Sequence, residues 1–278
     1  MTGLTNASLN GRGPGKFYRL AASLTFLIIF LVSCIEYHPY EASPDETNLT
    51  KINLDRLLAN PDSDTLRFAL IGDTQRFYDE TDDFVDVING YPELDMVIVS
   101  GDLSDFGIEY EFELMHDLFA ELSMPYLTVI GNHDLVYNGK TVYEEMYGAL
   151  DYSFTFKGNK FIMINTNSRE FGFNGRVPNI SWLRKELSEM KDEEQAIIVS
   201  HVPPDAPDFD PDLVEPYLHT LDSSKKVLVT LNGHLHGFRE GKFPDSQVRY
   251  INSYSTEKRS FVIVKIWDRG YDYQQIPY

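Results

Sequence analysis

The chain has 278 residues, 43 acids against 24 bases, a formal charge of −19 at pH 7, and one cysteine. So acidic a surface repels a nucleic-acid backbone, and a lone cysteine excludes an intramolecular disulfide. From Leu66 onward about 210 residues remain, a length that suits one α/β domain.

The first 33 residues carry Arg12, Lys16 and Arg19 as their only charges, and Leu20 to Val32 is an apolar run broken only by Ser23 and Thr25. That length suits a signal-peptide core and falls short of the ~20 apolar residues that cross a bilayer. The run ends in Leu31-Val32-Ser33-Cys34, which resembles the lipobox of bacterial lipoproteins. The resemblance implies cleavage before Cys34 and a lipid on its sulfur, hence a protein held on a membrane of the bacterial cell envelope and facing outside the cytoplasm. The other reading is a buried cysteine closing an N-terminal anchor helix. The expected organisation is a signal peptide over 1–33, a lipid-anchored polar tether over 34–64 with Pro39, Pro44 and Pro61, and a folded domain over 65–278. Without residues 1–33 the remaining 21 bases face 43 acids, a charge of −22.

Five apolar runs each end in polar, chemistry-bearing residues. Leu66–Gly72 leads into Asp73-Thr74-Gln75, Met96–Gly101 into Asp102-Leu103-Ser104-Asp105, and Tyr126–Gly131 into Asn132-His133-Asp134. Downstream, Ala196–Ser200 delivers His201, and Val227–Gly233 delivers His234-Leu235-His236. Loops beyond strand ends carry the functional groups of α/β proteins. Between the runs the spacing predicts helices over Asp82–Gly90, Glu109–Leu122, Thr141–Gly148, Asn179–Met190 and Asp212–Leu221. A hairpin pairs Tyr152–Phe156 with Lys160–Ile164, and Val248–Ile251 and Ser260–Trp267 alternate like antiparallel strands. His116 and His219 read as surface residues. Strands alternating with helices early, then hairpins, argue for a layered α/β sandwich with mixed sheets.

Two aspartates, two amides and three imidazoles without a thiolate suit Mn, Fe, Zn or Mg. Each group alone has an ordinary structural reading as a cap, a turn former or a core contact. Together, Asp73-x-Gln75, Gly101-Asp102-x-x-Asp105, Gly131-Asn132-His133-Asp134, His201 and Gly233-His234-x-His236 resemble the signature of the calcineurin-like metallophosphoesterases, in the order of that family. The resemblance implies a four-layer αββα sandwich with two mixed β-sheets and two divalent metal ions. It implies that Asp73, Gln75, Asp102 and His236 hold one ion, and Asp102, Asn132, His201 and His234 the other. A metal-bound hydroxide would attack phosphorus, with His133, oriented by Asp105, as the general acid for the leaving oxygen.

Gln75 stands where the family usually has histidine. An amide oxygen is a weaker, harder donor, so the first site leans toward Mn or Mg, with Mn favoured. The same change motivates the alternative of a pseudoenzyme, a binding or scaffold module of the envelope. Phe106 replaces the phosphate-gripping arginine of the superfamily's phosphoprotein phosphatases, which points away from a protein substrate. The expected partner is a small phosphomonoester or phosphodiester, with no nucleic acid. Arg76, Arg169 and Arg176 read as surface charges with anion contact as the alternative, and Tyr137, Tyr143, Phe171 and Phe173 are expected near the site's mouth.

Overall fold

The computed structural model describes residues 42–59, 65–192 and 194–278. The expected signal peptide and Cys34 lie outside them. Among the described residues, no helix is long and apolar enough to cross a membrane.

Two mixed sheets carry the fold. In the first, β1 (Leu66–Ile71), β2 (Met96–Val99) and β3 (Tyr126–Thr128) run parallel. On the other side of β1, β10 (Ser260–Trp267) and then β11 (Gly270–Pro277) add in antiparallel fashion. The second sheet has β5 (Asn159–Met163), β6 (Gln195–Val199), β7 (Val227–Asn232) and β9 (Arg249–Asn252) in parallel. Its edges are β4 (Tyr152–Phe156) and β8 (Arg239–Lys242), both antiparallel to their neighbours.

The central strands are continuous apolar runs because both of their faces are covered. Ala69 and Ile71 of β1 meet Phe84, Phe112, Phe119 and Tyr143 of the helices α2 (Tyr78–Ile88), α3 (Glu109–Ala120) and α4 (Gly139–Met146). The alternate residues Phe68 and Leu70 meet Phe161, Met163, Val199 and Leu231 of the second sheet. On that sheet's outer face, Ile162 and Ile198 pack against Leu183, Leu187, Tyr217 and Leu221 of α5 (Ile180–Ser188) and α6 (Pro211–Ser224). Helix, sheet, sheet and helix therefore stack as the expected four-layer sandwich. The parallel strands of the two sheets end on the loops that carry the polar motifs.

The polar tether expected over 34–64 is corrected in its second half. The compact unit begins at Ala42, and Leu49–Ala59 form the helix α1. Leu49, Asn53 and Leu57, spaced four apart, are all buried. The middle member is polar, so the buried stripe does not stand out as hydrophobic periodicity. Asn53 works as a dock: its Oδ1 accepts from the Tyr126 amide at 3.1 Å, the free edge of β3, while its Nδ2 donates to Leu49 O at 3.0 Å.

Other differences are local. α2 starts four residues before Asp82, because Phe77 at its N-cap makes no side-chain cap and so offers no start signal. β8 and β11 were not expected; β11 alternates aromatic and polar residues and is a mostly exposed edge. Tyr143 lies in the core rather than at a mouth, donating its hydroxyl to Thr128 O at 3.1 Å. His116 is half-buried, 2.8 Å from the Tyr126 hydroxyl, and burial depresses its pKa.

Asn53→Ala is expected to cost about 1–3 kcal/mol by leaving the buried Tyr126 amide unpaired. Ile52→Ala, on the exposed side of α1, should stay within about 0.5 kcal/mol. Chemical denaturation of both variants tests whether α1 belongs to the domain.

Candidate functional site

The turns after β1 and β2, and the loop after β7, leave ordinary backbone space at their functional residues. Asp73, Asp102, His234 and His236 all have left-handed φ, between 49° and 70°. For residues with a Cβ this costs on the order of 1–3 kcal/mol each, so surrounding contacts must impose it. They do. The amides of Asp73, Thr74 and Gln75 donate to Gly101 O and Asp102 O at 2.9–3.0 Å, stitching the first turn to the second. The Asp73 carboxylate accepts from the His234 amide at 3.0 and 3.1 Å, stitching the first turn to the last.

Asp134 anchors the middle. Its buried carboxylate accepts from the amides of Asp102, Leu103, Ser104 and Gly131 at 2.8–3.0 Å. Burial, reinforced by the charge of Asp102, pushes its pKa up to about 6, while backbone amides pull it down. Gly131 follows from the same packing, since a Cβ there would lie 2.0 Å from Asp102 Oδ1.

These turns bring together all seven residues expected to hold metal, as two sets of contacts that share Asp102. In one, His201 Nε2 lies 3.2 Å from Asp102 Oδ2 and 3.0 Å from Asn132 Oδ1, which also lies 2.9 Å from His234 Nδ1. In the other, His236 Nε2 lies 3.5 Å from Asp73 Oδ1, and Gln75 Nε2 lies 3.4 Å from Asp102 Oδ2. Ligand-capable atoms of Asp73, Asp102 and His201 fall within 4.8 Å of one another, all three residues buried.

The donor set fits divalent cations on three observations. First, both ring nitrogens of His201 and of His234 face oxygen. His201 Nδ1 is 2.7 Å from Ser100 O, and His234 Nε2 is 3.3 Å from Asp208 Oδ2. A neutral imidazole carries one proton, so when the outer nitrogen donates, the inner one presents a lone pair to an oxygen. A second proton or a cation relieves that opposition. Second, the buried Gln75 Oε1 has no hydrogen-bond partner, a cost that coordination would remove. Third, the titrations are strained in opposite senses. Burial pushes Asp73 up to about 7 against the pull of His201. Burial would depress His201, but Asp102 and Asp73 overcome it and push the imidazole up to about 10. Burial also works to raise Asp102, yet the His201 charge and hydrogen bond hold it below its ordinary value. Burial and the His201 charge push His234 down to about 4.

His133 stands apart from both sets. Its amide donates to Asp102 Oδ1 at 2.9 Å, and its ring Nδ1 lies 3.0 Å from the Asp105 carbonyl and 3.2 Å from the Asp105 carboxylate. With Nδ1 tied, Nε2 is the nitrogen available for proton transfer. The guanidinium of Arg76 also grips Asp105, and Arg169 pairs with Asp208 at 2.5 Å, so neither arginine is a plain surface charge. Tyr137 and Phe173 are exposed. Sequence reasoning gave no role to Asp134 or Asp208. Asp134 could have been flagged as the acid closing its motif; Asp208, in a proline-rich loop 26 residues from His234, carries no local signal.

Residues 66–238 match the calcineurin-like phosphoesterase family. The chain belongs to that family. A probable glycerophosphodiester phosphodiesterase, GpdQ, of Arcobacter nitrofigilis is 26% identical over 124 residues, spanning 40% of this chain and 43% of that protein. The chain thus matches less than half the length of that relative. Among solved structures, a dimetal phosphatase from Danio rerio superposes with a TM-score of 0.61 at 15% identity, covering 77% of this chain and 99% of that one. GAP50, described as the anchor in the inner membrane complex of Plasmodium, gives 0.59 at 16% identity, covering 77% and 84%. At such identities both likenesses speak to the fold alone.

A cation entering the site must displace the protons that Asp73 holds up to about 7 and His201 up to about 10. His234, pushed down to about 4, has none to release at neutral pH. Affinity for Mn should therefore rise with pH between about 6 and 9, by up to about tenfold per unit for each proton expelled. Calorimetric titrations in buffers of different ionisation enthalpy read this directly; an affinity flat with pH and no proton release would contradict it.

Proposed function

We propose that this chain hydrolyses a small phosphomonoester or phosphodiester with two divalent cations, Mn favoured over Fe, Zn or Mg. The observation that carries the reading is the pair of donor sets sharing Asp102, in which imidazole nitrogens of His201 and His234 face the Asn132 amide oxygen and the buried Gln75 Oε1 has no hydrogen-bond partner. Asp73, Gln75, Asp102 and His236 would hold one ion; Asp102, Asn132, His201 and His234 the other. Such ions, when bound, polarise a phosphoryl oxygen and make hydroxide available at neutral pH.

The chain's own residues do the rest. Ser100 O and the Asp208 carboxylate are placed to accept the outer N–H of His201 and His234, which would leave their inner nitrogens as lone-pair donors for a cation. His133, held at Nδ1 by Asp105, is the general acid that delivers a proton from Nε2 to the departing oxygen. Asp105 is its orienting partner, itself braced by Arg76. The GpdQ relative's description supports a diester of the glycerophosphodiester kind within this class. The lipobox-like Cys34 supports anchoring on the bacterial envelope, outside the cytoplasm. The alternative, a binding or scaffold module, rests on Gln75 alone.

Hydrolysis of a chromogenic phosphodiester and its matching monoester by the Mn-loaded full chain tests the reading, with Asp102→Ala as the blank. Turnover above the blank is expected, and its absence in all four metals would favour the binding module. His133→Ala should lose about 10²–10⁴-fold in turnover while retaining its metal, whereas Asp102→Ala should lose both. Loss of metal from the His133 variant to the same degree would sink its assignment as the acid.

A further inference from the structure

The loops that deliver Asp105 and His133 carry an apolar rim. Of the ten large apolar side chains that are exposed among the described residues, five lie here: Phe106 (56%), Ile108 (40%), Tyr110 (65%), Val136 (43%) and Tyr137 (53%). The two loops touch, since a Cβ on Gly107 would fall 1.9 Å from Val136 O. The turn is also fixed. The amides of Asp105 and Phe106 donate to the Glu111 carboxylate at 3.1 and 2.8 Å, and Gly107 N donates to Ser104 Oγ at 3.0 Å. A grouped, rigidly presented apolar surface marks an interaction face, unlike scattered exposed side chains.

What covers it follows from where the chain enters the domain. Ser43 N donates to Glu109 Oε2 at 2.7 Å and Asp45 N to Glu113 Oε1 at 3.1 Å, so the incoming segment lies along the first two turns of α3, and Glu109 itself stands between Ile108 and Tyr110 in sequence. Cys34 precedes Ala42 by eight residues, which reach at most about 29 Å when extended. A lipid on Cys34 therefore keeps this rim close to the bilayer. Tyrosine and phenylalanine suit the interface between headgroup and acyl chain, where an apolar body meets a polar surface. Glu109, Glu111 and Glu113 beside the rim would be repelled by anionic lipid.

We infer that the rim of Phe106, Ile108, Tyr110, Val136 and Tyr137 is the face by which the domain lies on a zwitterionic phospholipid bilayer, with the site's mouth at the headgroup phosphodiesters. The inference rests on the phosphoesterase and lipid-anchor readings above and adds an orientation to them. Trp267 supplies an internal reference. β10 pairs Ile266 with Leu66 at the start of β1, so Trp267 sits at the sheet edge opposite the site.

The test uses the full chain, produced in a bacterial host and reconstituted in phosphatidylcholine vesicles with or without brominated acyl chains. Phe106→Trp and Tyr110→Trp each add an emitter to the native Trp182 and Trp267. Brominated lipid should dim the added emission while wild-type emission changes little. Quenching in both variants no greater than in wild type overturns the inference, as does concentration-dependent self-association that blue-shifts both without quenching. Flotation of wild type and Cys34→Ser on the same vesicles reports the anchor separately, and turnover of a water-soluble diester reports the phosphoesterase reading. Floating, active protein without quenching would therefore overturn the orientation alone.

Discussion

Everything at the strand ends depends on the buried carboxylate of Asp134. It takes four backbone amides, from Asp102, Leu103, Ser104 and Gly131, at 2.8–3.0 Å. In doing so it closes the turn after β2 onto the turn after β3 and holds Asp102 in the left-handed region. Asp102 is the residue on which both donor sets converge, so an anion outside those sets fixes the residue they share. Hydrogen bonds to a charged acceptor are roughly twice as strong as neutral ones, enough for one side chain to hold several residues against their backbone preference.

The site inside those turns is electrostatically unfinished. Asp73, Asp102 and His201 are buried together, so burial pushes Asp73 up, the two carboxylates push His201 up against burial, and His201 holds Asp102 down. Two imidazoles face oxygen at both nitrogens. Buried polar groups in folded proteins are nearly always satisfied, and a cluster left opposed in this way is the arrangement expected where cations complete the coordination. Asp208 shows how far the arrangement extends, since a loop acid fixes the tautomer of a histidine it meets only in the folded chain.

Much of this was legible in the sequence for a definite reason. Central strands buried on both faces must be continuous apolar runs, and the polar residue that ends each run marks the edge where chemistry is possible. The runs ending at Asp73, Asp102, Asn132, His201 and His234 could be read one by one, and their family order joined them. Features that depend on the second half of a contact could not be read. α1 buries Leu49, Asn53 and Leu57, but Asn53 is polar because it serves the edge of β3, 73 residues away. β11 is an exposed edge strand whose alternation carries little hydrophobic signal. Tyr143 looked like a mouth residue by its place near the motif, yet its hydroxyl belongs to Thr128 in the core. The apolar rim was equally hidden, because exposure is a property of the fold.

The central claim is that Asp102 lies between two cations. Anomalous diffraction from crystals of the Mn-soaked protein, collected at the Mn edge, addresses it most directly. Two peaks flanking the Asp102 carboxylate, separated by about 3.5–4 Å, are the expected result. A single peak away from Asp102, or none at saturating Mn, would contradict the account.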